Sequence, residues 1–129
     1  MVLIFVYGTL MKKFWNDYFL KDSEFLGKVQ TIERYGLYIE GLIPKLNEEK
    51  NYVIYGELYN VSKDTLQKID SLEGNDENYD EDRGDYFRKI IQVLNEDEKI
   101  YNNVWAYINN NQEGVLSSTG DFREYFKAY

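Results

Sequence analysis

The sequence predicts an α+β fold: a mixed or antiparallel β-sheet curled around a pocket, flanked by two or three short helices. Two observations carry this. Short apolar runs bounded by glycine or polar clusters outnumber the stretches with helical periodicity. Only residues 12–20, 62–74 and 120–129 repeat their apolar side chains every three or four positions. At 129 residues the chain has the length of one ordinary domain. No linker or internal repeat divides it, so a single domain over residues 1–129 is expected.

Val2 to Val6 reads as a buried strand that stops at Tyr7-Gly8-Thr9-Leu10. Lys12 to Leu20 reads as a short helix or irregular turn. Phe14, Trp15, Tyr18 and Phe19 form one aromatic face there, which is expected in the core. Phe25 to Tyr38 reads as two strands or a bent one, broken at Gly27 and Gly36. Pro44, the chain's single proline, suits a loop or an edge strand, because proline cannot donate to a ladder. Asn47 to Asn51 reads as a polar turn, and Tyr52 to Val61 as the next strand. Gly56 inside that strand implies a bulge or a close backbone approach.

Residues 62–74 form the clearest helix. Ser62 is a credible N-cap, Asp64 places negative charge in the first turn, and Gly74 is a natural stop. The following stretch NDENYDEDRGD is acidic apart from Arg83 and is expected to be solvated. Phe87 to Leu94 and Ile100 to Ile108 read as paired strands. The connection between them is too long for a tight two-residue hairpin. In the last segment Asp121 and Glu124 have capping-box spacing, and Phe122, Tyr125, Phe126 and Tyr129 make a helical stripe.

Composition removes several chemistries. There is no cysteine, hence no disulfide and no thiolate nucleophile, which fits a cytoplasmic protein. There is no histidine, which removes imidazole zinc sites and Ser-His-Asp triads. The formal net charge of -8 argues against nucleic acid as the main partner. The apolar start is too short for a signal peptide, and no apolar run is long enough to cross a bilayer. Neither a membrane nor a nucleic acid is therefore an expected partner. Catalysis, if any, falls to carboxylates, tyrosines, lysines, arginines, hydroxyls or backbone groups.

Glu73 is the leading candidate. Leu66, Ile69 and Leu72 mark the dry face of the 62–74 helix, and Glu73 projects between the directions of Leu66 and Ile69. Asp70 lies near one edge. A carboxylate facing a core has a raised pKa and becomes a better proton acceptor. If the helix instead ends at Leu72, Glu73 turns to solvent. The turn Tyr7-Gly8-Thr9-Leu10 offers successive amides, and a positive φ at Gly8 would let them converge as an anion cradle or oxyanion site. It lacks the spacing of a phosphate loop, and an ordinary turn is the alternative. Tyr86 and Arg88 share one strand face near Glu73. Tyr86 is a pocket candidate, and Arg88 an ion-pair or surface residue. The acidic segment fails as a calcium loop, because Glu81 and Phe87 stand where glycine and glutamate are required. Asp70 and Glu73 cannot flank a sugar from opposite sides, so a paired-carboxylate glycosidase is a poor fit.

Together these residues resemble the gamma-glutamylcyclotransferase-like family, including its small AIG2-like members. The resemblance rests on VYGTL at the N-terminus, GELYNVS at 56–62, LQKIDSLEG, YFR at 86–88, WAYI at 105–108 and the final GDFREY. It implies a curled mixed sheet, a partly open barrel with short flanking helices. It implies that the turn from Tyr7 to Leu10 binds a glutamyl group through backbone amides. The glutamate matching Glu73 acts as general acid/base, and Tyr86 lines the same pocket. The chain departs from many relatives in its long acidic insertion before Tyr86, and at Phe122, where small members often carry tryptophan.

The implied reaction is cyclisation of a γ-glutamyl amide to 5-oxoproline, with release of an amine and no metal or cofactor. The implied partner is a small-molecule γ-glutamyl substrate; nothing in the sequence fixes its leaving amine or an oligomeric state. A non-catalytic binding module and a hydrolase using the same pocket are the alternatives.

Overall fold

The computed structural model describes residues 2–127. Tyr129, expected to close the C-terminal aromatic stripe, lies outside the described residues. In chain order the elements are β1 (Val2–Val6), β2 (Glu24–Thr31), β3 (Tyr35–Glu40), β4 (Ile43–Tyr52), β5 (Tyr55–Val61), α1 (Lys63–Glu73), β6 (Phe87–Asn95), β7 (Ile100–Ile108), β8 (Val115–Leu116) and α2 (Phe122–Lys127). Two short 3-10 turns lie at Asp17–Leu20 and Glu81–Arg83.

Five strands close into a barrel in the order β1-β5-β2-β6-β7. The barrel is mixed: β1 pairs antiparallel with β5 and parallel with β7, where Ile4 faces Trp105. The sequence implied a partly open barrel; this one is closed, so no barrel strand is left with an unpaired edge. The other strands form a separate three-stranded sheet, β4-β3-β8, which the sequence did not announce. It is tied to the barrel by the Asn109 amide, which donates to the Leu46 carbonyl at 2.9 Å.

Successive residues of a strand point to opposite faces. Ile4, Phe5 and Val6 are all buried, so β1 is covered on both sides. Val104, Ala106, Tyr107 and Ile108 make β7 equally dry toward its end. On α1, Leu66 and Ile69 are buried as the spacing requires. The Ser62 hydroxyl accepts the Thr65 amide at 3.1 Å. Gly74 stops the helix in the left-handed region, φ 80°. At α2, Asp121 caps through its side chain, accepting the Arg123 amide at 2.9 Å. No helix among the described residues is long and apolar enough to cross a membrane.

Several local expectations are corrected. Leu72 is not on the dry face; it is 43 % exposed, because the surface under the last turn of α1 is a cavity and not a packed sheet. Trp15 and Tyr18 are also exposed, while Phe14 is buried. The aromatic segment is mostly turns that do not hold one helical face. Residues 47–51 lie within β4 and not in a turn. They bulge, since Gly36 faces Asn47 whereas its neighbour Tyr35 already faces Tyr52. The run from Tyr52 to Val61 is split between the two sheets. Pro44 sits near the start of β4, an edge strand, where a missing donor costs least.

Gly56 is a close-approach glycine. A Cβ added there would lie 2.2 Å from the Val6 carbonyl oxygen and 2.7 Å from the Phe5 ring. Gly56→Ala is therefore expected to push β5 away from β1 and to cost about 1–3 kcal/mol, read by denaturant unfolding. An unchanged midpoint and slope would show that the barrel seam has slack which this geometry denies.

Candidate functional site

The segment after β1, the last turn of α1, the start of β4 and the residue preceding β6 converge on one cavity. Its volume is about 280 Å³, and its wall includes Tyr7, Gly8, Thr9, Leu10, Glu73 and Tyr86. All six residues singled out from the sequence thus lie on the same hollow. They reach it by different routes.

Glu73 is the last residue of α1. It is half-buried, and among the described residues its carboxylate has no hydrogen-bond or ion-pair partner. Burial raises its pKa from an ordinary carboxylate value to about 7. Its position at a helix C-terminus, the negative end of the dipole, also disfavours the charge. Neighbouring acids are handled differently. Asp70, one turn earlier, lies 2.8 Å from the Arg88 guanidinium and accepts the Tyr107 hydroxyl at 2.6 Å. Arg88 stacks over the Trp105 ring as well, so its role is the ion pair expected of it.

Three tyrosines line the cavity with their hydroxyl protons already committed. Tyr7 donates to the Tyr107 carbonyl at 2.8 Å, Tyr86 to the Pro44 carbonyl at 2.8 Å, and Tyr107 to Asp70. Burial is the main cause that holds all three phenols well above their ordinary pKa. The Glu73 charge pushes each in the same direction. They stay protonated, and what their oxygens have left to offer is acceptor capacity. Tyr7 additionally accepts the Leu46 amide at 3.1 Å, so it enters the wall chiefly through its ring.

The turn at residues 8–10 lines the same cavity. No turn or loop hydrogen bond among the described residues uses the amide of Gly8, Thr9 or Leu10. The carbonyls are occupied: Gly8 accepts from Met11 at 3.0 Å and Thr9 from Asn16 at 3.0 Å. Asn16 also donates its side-chain amide to the Thr9 hydroxyl at 2.9 Å, which fixes the turn from both ends. The reason for Gly8 is not a positive φ, since it is absent from the residues in that region. A Cβ there would meet Pro44 Cγ at 2.4 Å. Gly8 is glycine because Pro44 presses against it.

Pro44, Trp15, Asn16, Ile43, Leu72 and Tyr107 also line the cavity, with Phe5 and Val6 from the end of β1. The sequence pattern assigns Pro44 to a loop or an edge, Trp15 and Leu72 to the core, and nothing to Asn16. The one available signal was that the single proline followed a glycine-led turn at an apolar tip, Gly41 to Ile43. A second hollow, of about 240 Å³, lies against Glu57 and Arg123. Glu57 is already engaged there by the Lys12 amide and by Arg123. Among the described residues no group of three or more Asp, Glu, His or Cys side chains is placed to hold a metal ion. In the acidic segment, Asp80 caps the short turn over Glu81–Arg83, and Arg83 pairs with Asp85.

Comparison with known proteins adds an independent line. Residues 4–124 match the family described as Gamma-glutamyl cyclotransferase, AIG2-like. The chain is 37 % identical over 128 residues to protein MJ1514 of Methanocaldococcus jannaschii, provisionally named a gamma-glutamylcyclotransferase; the match covers 97 % of this chain and 98 % of that one. It is 30 % identical over 105 residues to the gamma-glutamylcyclotransferase family protein YtfP of Escherichia coli K12, covering 81 % and 80 % of the two chains. Among solved structures, an AIG2-like protein of Mus musculus superposes with a TM-score of 0.78 at 25 % identity, over 94 % of this chain and 87 % of that chain. The uncharacterized protein PH0828 of Pyrococcus horikoshii superposes with a TM-score of 0.74 at 27 % identity, over 99 % and 95 %.

The raised pKa of Glu73 makes a stability prediction. Its folded pKa, about 7, exceeds the ordinary value of 4.5, so between those values the folded state binds the extra proton and stability falls as pH rises. The penalty is absent at low pH and complete above neutrality. A shift of this size is worth at most about 3–4 kcal/mol. Glu73→Gln is therefore expected to unfold at nearly the same denaturant concentration as the native chain at about pH 4, and to be more stable at about pH 8. A difference between the two chains that does not change with pH would mean that Glu73 is not shielded.

Proposed function

The chain belongs to the gamma-glutamyl cyclotransferase, AIG2-like family, and from that premise we propose that it cyclises a γ-glutamyl amide to 5-oxoproline, with Glu73 as general acid/base. The observation that carries this reading is an unpartnered carboxylate of pKa about 7 on the same small cavity as a turn with unused amides.

The cavity is polar in a directional sense. Glu73, Tyr86 and Tyr107 offer acceptors; the amides of residues 8–10 offer donors. An α-amino acid group complements both, with its ammonium toward Glu73 and its carboxylate toward the turn. Glu73 takes a proton from the ammonium. The freed amine attacks the γ-carbonyl, and a new C–N bond closes the five-membered lactam. The bond from that carbon to the departing nitrogen breaks as protonated Glu73 returns the proton to it. The α-nitrogen loses its second proton to solvent, and the released amine takes one up. No water enters the product.

Two physical effects supply the rate. Holding the amine against the carbonyl makes the step intramolecular, with the large advantage that follows from avoided loss of freedom. A base whose pKa lies near neutrality combines a populated ionised form with useful basicity and contributes about a hundred- to ten-thousand-fold. Exclusion of water by the apolar wall favours cyclisation over hydrolysis. A binding module would have little reason to hold a destabilising, unpartnered acid in its wall.

The test is release of 5-oxoproline from simple γ-glutamyl amides. Glu73→Gln is expected to lower kcat by about a hundredfold or more with a smaller change in KM. The native enzyme's kcat is expected to rise with pH through an inflection near about 7 that the variant lacks. Retained turnover in the variant would remove Glu73 from the mechanism, and labelled solvent oxygen in the product would identify a hydrolase.

A further inference from the structure

The mouth of the cavity differs in character from its floor. Trp15, Ile43 and Leu72 line it, yet they are 48 %, 58 % and 43 % exposed. Large apolar side chains that both line a hollow and face solvent mark its rim. They come from three separate elements: the turn after β1, the tip before Pro44 and the end of α1. Trp15 is held in place by ring contacts with Phe14 at 5.9 Å and Phe126 at 6.0 Å. Exposed apolar side chains gathered around one cavity are suited to contact with a ligand.

The electrostatics are equally one-sided. No lysine or arginine is among the residues lining this cavity, so no fixed cation can receive a second carboxylate. The acidic insertion starts two residues after Glu73 and ends at Tyr86, both on the wall. It carries six carboxylates between residues 76 and 85 against one Arg83. Gly74 packs directly on Asp85, which keeps the insertion beside the site. An anionic tail on the departing amine would meet repulsion from this segment and apolar carbon at the rim. A cationic tail would be attracted at long range, but that attraction is screened by water and salt, whereas desolvation at the rim acts on contact.

On the reading of this cavity as a γ-glutamyl site, we infer that the released amine carries an apolar body that packs between Trp15, Ile43 and Leu72. Specificity then comes from the rim and chemistry from the floor. Each methylene that reaches the rim leaves water for carbon, and discrimination of this kind acts through kcat/KM.

Three probes of nearly equal length separate the possibilities: the γ-glutamyl amides of n-butylamine, 1,4-diaminobutane and γ-aminobutyrate, with 5-oxoproline release as the readout. The butylamide is expected to exceed each charged analogue by about tenfold in kcat/KM. Ile43→Arg, which places a cation on the exposed rim, is expected to raise kcat/KM for the γ-aminobutyrate amide and lower it for the butylamide. Because this is a gain of activity, a misfolded variant cannot imitate it. Trp15→Ala is expected to narrow the preference for the butylamide mainly through KM. Equal or faster release from either charged probe would overturn the apolar assignment while leaving cyclisation intact. Release of 5-oxoproline from none of the three would overturn the cyclotransferase reading itself, and this inference with it.

Discussion

The hydroxyl of Tyr7 joins the two sheets. It donates to a carbonyl of β7 and accepts an amide of β4, so one oxygen spans the barrel and the smaller sheet. Both groups are buried, and a buried amide or carbonyl without a partner is costly. The position of β4 relative to β1 is thereby fixed at Leu46, two residues from Pro44. Everything on the cavity's far wall depends on it. Pro44 presses on Gly8, and its carbonyl takes the proton of Tyr86. The Tyr86 amide, in turn, donates to the Glu73 carbonyl at 2.8 Å. A chain of short-range constraints thus runs from the first strand to the end of α1 and leaves a hollow in the middle.

Within that hollow Glu73 differs from the acids around it. Asp70 has Arg88 and Tyr107, Glu57 has Arg123 and a backbone amide, and Asp85 has Arg83. Each of these carboxylates is compensated where it loses water. Glu73 is not, and desolvation is the main cause of its raised pKa. The helix, its glycine stop and the amide of Tyr86 hold the backbone of residue 73 at the cavity. A structural role would be served as well by an uncharged side chain of similar size.

Much of this was legible in the sequence because it rests on local rules. The 3.6-residue period of α1 points Glu73 inward provided the helix reaches it, and the helix does run to Glu73 before its glycine stop. The turn Tyr7-Gly8-Thr9-Leu10 announced itself by interrupting an apolar strand. What stayed hidden depends on contacts distant in sequence. Gly8 looked like a glycine of conformation, but it is a glycine of clearance, and its reason lies 36 residues away at Pro44. Asn47 to Asn51 has the composition of a turn; only the partner β3 makes it a bulged strand. Trp15 and Leu72 looked like core because large apolar side chains usually are. Their exposure follows from the cavity, which no periodicity encodes. The separate three-stranded sheet was invisible for the same reason, since the run from Tyr52 to Val61 is continuous in character but divided in space.

If the proposed reaction holds, the partition of donors and acceptors is how a chain without histidine or cysteine would host its acid–base chemistry. Each phenol on the wall has spent its proton on the scaffold, on a carbonyl or on Asp70, so none competes with Glu73 as an acid. On the proposed reading the amides of residues 8–10 are the complementary surface, and they cannot act as bases. Among the described residues on the wall, Glu73 is then the group assigned to gain and lose the proton. In an intermolecular reaction a lone carboxylate would be a modest catalyst. In a cyclisation the nucleophile, the electrophile and the departing nitrogen belong to one molecule, and the loss of freedom that limits other reactions is met mostly by the substrate's own covalent bonds. What remains for the protein is to orient the substrate, exclude water and move a proton across a short distance, and a single shielded carboxylate opposite a donor turn is enough for that.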